Sequence, residues 1–312
     1  VGYKAGYAMT TGIRNTILGG LAGDAITTGA YNIALGYNSL SSEDTTGRNV
    51  AIGYNSLANQ NAASDAYNVA IGYNAGITVT TAIQNTLIGG LAGDALTTGS
   101  RNVAIGTSAL STEDAHGRNT AIGYGTLNAL DAGADAYNVA VGYSAGTAMT
   151  TGVQNTLIGS RAGDALTTGS YNVAVGEGAL TTEDAHGYNV AIGKDALYTL
   201  DAGANAYNVA VGYYAGKNMS TGIQNTILGG LAGDALTTGD GNVAIGYQAL
   251  TTQIVNGQNV AIGTEALKNQ NVSGHGNNTA VGHQTGLSVT TGIKNTLVGS
   301  LAGDALTSGS YN

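Results

Sequence analysis

Residues 85–154 read NTLIGGLAGDALTTGSR, NVAIGTSALSTEDAHGR, NTAIGYGTLNALDAGADAY and NVAVGYSAGTAMTTGVQ, four segments that each begin with Asn and carry Gly four residues later. The same order recurs from Asn15, Asn155 and Asn225, so the 312 residues are built on a 70-residue super-repeat. We call the four segments first-, second-, third- and fourth-type turns. Because one period governs the whole chain, the repeat decides the fold.

Each turn opens with a short aliphatic segment, and the residues that follow are rich in Gly, Thr, Asn and Asp. This pattern is typical of one short strand per turn followed by tight corners. Helical repeats are disfavoured, because Gly and Thr would fall in the helix interiors. The sequence therefore predicts an all-β chain, a parallel β-solenoid or β-roll of about 18 turns of 17 or 19 residues. We expect one continuous domain over residues 1–312, as a segment of a longer fibre chain.

An Asn opens every turn, and Gly always stands four residues after it. We interpret the Asn column as a structural ladder, in which side-chain amides hydrogen-bond from turn to turn and cap the backbone. The Gly column indicates a turn with positive φ. The predicted ladder comprises Asn15, Asn32, Asn49, Asn68, Asn85, Asn102, Asn119, Asn138, Asn155, Asn172, Asn189, Asn208, Asn225, Asn242, Asn259, Asn278 and Asn295.

Strand alternation decides which side chains face the core. The fourth residue of each turn is always large and aliphatic, as at Leu18, Ile52 and Ile88, and we assign this column to the core. The second residue shares its face, so the third points outward, where it is mostly Ala. The third residue is Ile or Leu in first-type turns, a row formed by Ile17, Leu87, Leu157, Ile227 and Leu297.

Soluble proteins rarely expose an apolar row of this length, so we expect a partner that covers it. We therefore predict that these five residues form the interface of a closed symmetric oligomer of parallel rods. The opposite pleat is the alternative, because a shift of one residue exchanges the two faces of a strand.

Two further columns complete the predicted core. Second- and third-type turns carry Leu eight residues after the Asn, as at Leu110, whereas the other two types carry Gly there and an aliphatic residue three positions later, as at Leu96. This exchange indicates one core position filled from two places in the backbone. The residue seven after the Asn is always Ala, Ser or Thr, which predicts a close corner.

Composition argues against several function classes. A net charge of −9 disfavours nucleic acid as a partner, and no apolar stretch is long enough for membrane insertion. The neighbouring acids Glu43-Asp44, Glu113-Asp114 and Glu183-Asp184 are interpreted as solvated turns, and no unique constellation of residues predicts an enzyme. His116 and His186 share one repeat position without a metal-binding spacing. We expect no catalytic residue, no metal site and no cofactor.

The pentads NVAIG, NVAVG and NTAIG, with their Thr-rich spacers, resemble the head repeats of YadA-like trimeric autotransporter adhesins. They are still more similar to the NTAIG…TTG arrays of phage tail-fibre proteins. The resemblance covers the whole chain. It implies a parallel β-roll with three chains side by side, the Val and Ile of each pentad inward and its Ala toward the neighbouring chain.

We therefore expect the shaft of a homotrimeric extracellular fibre, on a virion tail or a bacterial surface, that holds a recognition tip away from its base. Cell-surface glycan or protein would be reached through flanking regions. One alternative is an adhesin head that binds glycan or matrix protein directly. A second is an ice-binding solenoid, suggested by Thr pairs such as Thr97-Thr98, although half of the turns lack them.

Overall fold

The computed structural model describes residues 1–252, 255 and 257–312. They form two compact units, Val1–Gln154 and Asn155–Asn312, and each is a parallel β-solenoid. The strands of the first unit are β1 (Thr16–Leu18), β2 (Ile33–Leu35), β3 (Val50–Ile52), β4 (Val69–Ile71), β5 (Thr86–Ile88), β6 (Val103–Ile105), β7 (Thr120–Ile122) and β8 (Val139–Val141). Those of the second unit are β9 (Thr156–Ile158), β10 (Val173–Val175), β11 (Val190–Ile192), β12 (Val209–Val211), β13 (Thr226–Leu228), β14 (Val243–Ile245), β15 (Val260–Ile262), β16 (Thr279–Val281) and β17 (Thr296–Val298).

Within each unit, every strand pairs with the next strand of the chain in parallel and in register. Leu87 of β5, for example, lies opposite Ala70 of β4 and Ala104 of β6. Equal positions of successive turns therefore stack into columns, and the predicted parallel β-solenoid is confirmed. The prediction that residues 1–312 make one continuous domain stays a prediction.

The strand pleat is the reverse of our expectation. The middle residue of every strand from β2 to β16 is fully buried, whereas its two neighbours are half-buried or exposed. The assignment of the fourth-residue column to the core is therefore wrong: Leu228 is 46% exposed and Ile158 is 39% exposed.

The predicted oligomer interface is wrong for the same reason. Leu87, Leu157 and Ile227 are completely buried inside their own chain, and Ile17 and Leu297, in β1 and β17, are half-buried. These side chains fill the interior of the solenoid and cannot form a surface for another rod.

Glycine explains why first-type turns place a large residue there. A Cβ on Gly93 would lie 2.8 Å from both Leu87 Cδ2 and Leu96 Cδ1, and one on Gly76 would also collide with Leu87. The space that these two glycines leave open is thus filled by the Leu87 side chain. In second- and third-type turns the middle strand residue is Ala, and a buried Leu eight residues after the Asn, such as Leu110, fills the core instead.

The corner positions agree with the sequence prediction. The column of small residues seven after the Asn is buried, as at Ala22, Ser39 and Thr126. The glycine that ends each strand has a positive φ, 133° at Gly53, where a Cβ would overlap the carbonyl oxygen of Gly72 one turn later. Only glycine combines this backbone conformation with such close stacking.

Candidate functional site

The Asn columns form a ladder along each unit, as predicted, but most of its bonds run to the backbone. The Asn85 Oδ1 atom accepts the backbone N–H of Asn102 at 2.8 Å, and Asn68 Oδ1 accepts that of Asn85 at 2.8 Å. Asn85 Nδ2 donates to the carbonyl oxygen of Gly99 at 2.9 Å. Direct amide-to-amide bonds occur in a few turns, such as Asn242 Nδ2 to Asn225 Oδ1 at 3.1 Å. The ladder is structural because these side chains are buried and engaged in bonds within the chain.

A second column, the residue before each ladder Asn, stacks flat side chains along an exposed edge. In the first unit Arg48 lies over the rings of Tyr31 and Tyr67, with its guanidinium 5.2 and 5.4 Å from the ring centroids. In the second unit the rings of Tyr171 and Tyr188 stack at 5.0 Å. The faces of these side chains are covered by one another, so turn-to-turn packing accounts for the column.

The outer face of the strands is an uncharged surface, rich in aliphatic side chains, that the chain itself leaves uncovered. In all seventeen strands of the described residues, the two outward positions hold only Val, Thr, Ile or Leu. Tyr follows the strand-ending glycine in several turns and is about half exposed, as at Tyr54 and Tyr73. The face therefore combines aliphatic rows with an aromatic border and carries no charge on its strands.

The acids that we interpreted as solvated turns lie in a different setting. Glu113 is completely buried, although its neighbour Asp114 is exposed. Its Oε1 accepts the backbone N–H of His116 at 3.0 Å, and its Oε2 accepts that of Ala132 at 3.4 Å. Glu43 and Glu183 are buried in the same way, so the interpretation was wrong for these three glutamates.

Four potential ligand groups converge around Glu113. One ligand atom from each of Glu113, Asp114, His116 and Asp131 lies within 4.8 Å of the others, and we call this set the 113–131 cluster. The equivalent residues of the second unit converge within the same distance and form the 183–201 cluster, which comprises Glu183, Asp184, His186 and Asp201. The sequence prediction of no metal-binding arrangement overlooked both sets.

One signal in the sequence could have located the buried glutamates. Glu113 stands eleven residues after Asn102, and the residues at this position in the neighbouring turns are Leu96 and Leu130, both completely buried. The column is a core column, and an acid within it must be buried. Asp131 had no such signal, since its approach to His116 depends on the path of the next turn.

Burial raises the pKa of these glutamates and so favours their protonated form. Desolvation raises the pKa of Glu43 above its ordinary value of 4.5, and hydrogen bonds from the hydroxyl and the backbone N–H of Thr46 oppose the rise in part. Desolvation likewise raises the pKa of Glu113, opposed by the backbone N–H groups of His116 and Ala132 and by the His116 imidazole.

The Glu43→Gln variant tests this burial cost. A raised pKa means that the folded protein holds the proton more tightly than the unfolded chain, so the free energy of unfolding falls as pH rises from 4.5 through the raised pKa. Because Gln does not titrate, the free energy of unfolding of the variant should fall less as pH rises. At neutral pH the variant should therefore be more stable than the wild type. Denaturant unfolding at a series of pH values measures both effects. Asp304→Asn, which removes an exposed charge, is the control and should follow the wild-type curve.

No protein-family model matches the chain, and no curated protein or solved structure does either. Within the described residues there is no cavity that could enclose a small ligand. The same part of the chain contains no helix with the length and hydropathy needed to cross a membrane. The candidate sites are therefore the outer strand face and the two clusters.

Proposed function

We propose that the chain is a self-associating structural segment, the shaft of a homotrimeric extracellular fibre on a virion tail or a bacterial surface. In this role it would hold a recognition tip away from its base, and any cell-surface glycan or protein would be bound by flanking regions. The observation that carries the proposal is the uncharged apolar outer face of the strands. Soluble proteins rarely leave such a surface in contact with water.

The reversed pleat moves the self-association surface to other residues. The face available to a second and a third copy consists of the second and fourth residues of each turn, including Ile192 and Leu228, which are 37% and 46% exposed. Its Tyr border supports the same role, because aromatic side chains are enriched in protein interfaces. The absence of charge along the strands of the described residues lets like chains approach without repulsion.

The double variant Ile192→Asp/Leu228→Asp tests self-association. We expect the wild type to sediment at three times the mass of one chain and the variant to sediment as a monomer, because like charges would face each other across the interface. The variant should keep the circular dichroism spectrum of the wild type, since both positions point away from the core.

Thr168→Asp/Thr238→Asp is the matched control, as it adds the same charge at exposed turn positions outside the strands. It should remain a trimer. A wild type that is monomeric at micromolar concentration would contradict the proposal. Glycan or matrix-protein binding by such a monomer would favour the adhesin-head alternative.

A further inference from the structure

A positive partner would offset the burial of the glutamate carboxylate in each of the two clusters. A carboxylate in a core column loses its hydration, and the structure offers Glu113 two backbone N–H groups and the edge of the His116 ring. The Nδ1 atom of His116 lies 3.4 Å from Glu113 Oε1, is shielded from solvent and has no hydrogen-bond partner. The Nδ1 atom of His116 is therefore positioned to donate its lone pair to an ion, and the equivalent Nδ1 of His186 would do so in place of its 3.3 Å hydrogen bond with Glu183 Oε1.

The donor set favours a transition metal over a hard cation. Each cluster offers one imidazole nitrogen and three carboxylates, and imidazole suits Zn²⁺ and its neighbours, whereas Ca²⁺ and Mg²⁺ prefer oxygen ligands alone. Ligands about 2.0–2.1 Å from a tetrahedral Zn²⁺ lie about 3.3 Å apart. The separation of Nδ1 and Oε1 is 3.4 Å in the 113–131 cluster and 3.3 Å in the 183–201 cluster.

The exposure of the aspartates and the position of the ligands in two successive turns also suit a bound ion. Asp114 and Asp131 are exposed and stand at the mouth of the cluster, whereas Glu113 forms its floor. Glu113 and Asp131 belong to successive turns, so an ion held by both would join one turn to the next.

The first super-repeat supplies an internal comparison. Glu43 and Asp44 are retained there, but Thr46 and Asn61 occupy the positions of His116 and Asp131. The Thr46 hydroxyl donates to Glu43 Oε1 at 2.6 Å and satisfies the acid without an ion. His and the second Asp are thus present together in two super-repeats and absent together from this one. In the last super-repeat the equivalent residues carry no ionisable group: they are Gln253, Ile254, Asn256 and Asn271.

We propose that the 113–131 and 183–201 clusters each bind one divalent transition-metal ion, with Zn²⁺ as the best fit. The imidazole Nδ1 and the buried glutamate hold the ion from within, and the two aspartates hold it from the solvent side. Each ion links two successive turns of its own unit. The site is independent of self-association through the strand face, since none of its ligands lies on a strand.

Titration of the full chain with Zn²⁺ after treatment with a chelator tests the proposal. Isothermal titration calorimetry should show two equivalents for the wild type, and bound Zn²⁺ should raise the melting temperature. His116→Thr/Asp131→Asn should bind one equivalent, and adding His186→Thr/Asp201→Asn should remove the other. The new residues are those that the chain itself carries at 46 and 61, so circular dichroism should show an unchanged fold.

Two controls separate the clusters from general surface binding. Replacing the exposed His275 and His283 by Ala should leave two equivalents. Co²⁺ bound to the wild type should show the visible absorption of a nitrogen-ligated tetrahedral ion, a readout that needs no variant. No saturable Zn²⁺ binding, two equivalents retained in the fourfold variant, or Ca²⁺ binding as tightly as Zn²⁺ would each overturn the proposal.

Discussion

Ile227→Ala should lower the free energy of unfolding by about 2–5 kcal/mol, whereas Leu228→Ala, at the next residue of β13, should cost less than about 1 kcal/mol. The two side chains are adjacent aliphatic groups of one strand, but Ile227 is completely buried and Leu228 is 46% exposed. The Ile227 Cδ1 atom fills space next to Gly216 and Gly233, whose added Cβ atoms would lie 3.0 and 3.2 Å from it. Alanine would leave that space empty, because neither glycine has a side chain to occupy it.

Denaturant unfolding followed by circular dichroism measures both losses. It should be done under conditions in which both variants share the oligomeric state of the wild type, because Leu228 also lies on the proposed self-association face. The stability of a solenoid is close to the sum of the intrinsic stabilities of its turns and the interactions between neighbouring turns. A defect in one turn can therefore split the unfolding transition into separate phases. In that case the midpoint of the phase that contains the altered turn is compared. Equal losses, or a larger loss for Leu228→Ala, would contradict the observed pleat.

Periodicity alone was sufficient to predict the solenoid. The Asn column, the Gly column and the small residue at the corner recur without exception, and each corresponds to one structural requirement. Their roles could be inferred because a ladder, a positive φ and a close corner are local demands on residue type. The sequence of a single turn is therefore enough to infer all three roles.

The direction of the pleat could not be taken from the strand itself. A three-residue segment such as Thr86–Ile88 has aliphatic residues on both faces, and the usual rule that larger side chains face inward selects the wrong one. The deciding relation is between distant positions. A large third residue, as at Leu87, occurs only in turns that have Gly eight residues after the Asn, as at Gly93. Because the large side chain at one position accompanies glycine at the other, the two positions fill the same interior space.

The two clusters were also only partly predictable from the sequence. The +11 column, which holds Leu96 and Leu130, was sufficient to place Glu113 in the core. The meeting of His116 with Asp131 was not predictable, because both lie in corners outside the strands, with β7 between them, and the register of that strand does not fix the path of the corners on either side. Where the backbone is irregular, spacing in the sequence does not determine which side chains converge.

Asn85→Ala should lower the free energy of unfolding by about 2–6 kcal/mol, because it leaves two buried backbone groups without partners at about 1–3 kcal/mol each. Those groups are the N–H of Asn102, which donates to Asn85 Oδ1, and the carbonyl of Gly99, which accepts from Asn85 Nδ2. The loss should appear in denaturant unfolding. Asn218→Ala, which truncates an exposed Asn, is the control and should remain within about 0.5 kcal/mol of the wild type.

Asn85→Asp separates lost hydrogen bonds from lost packing, since Asp keeps the size of Asn. At neutral pH the carboxylate can still accept from the Asn102 N–H, but it cannot donate to Gly99, and it places a charge in a buried column. Protonation removes the charge and restores one O–H donor. Measured against the wild type at each pH, the deficit of Asn85→Asp should therefore shrink as pH falls, whereas that of Asn85→Ala should not. Equal pH profiles for the two variants would mean that the ladder stabilises the fold by filling space and not through its hydrogen bonds.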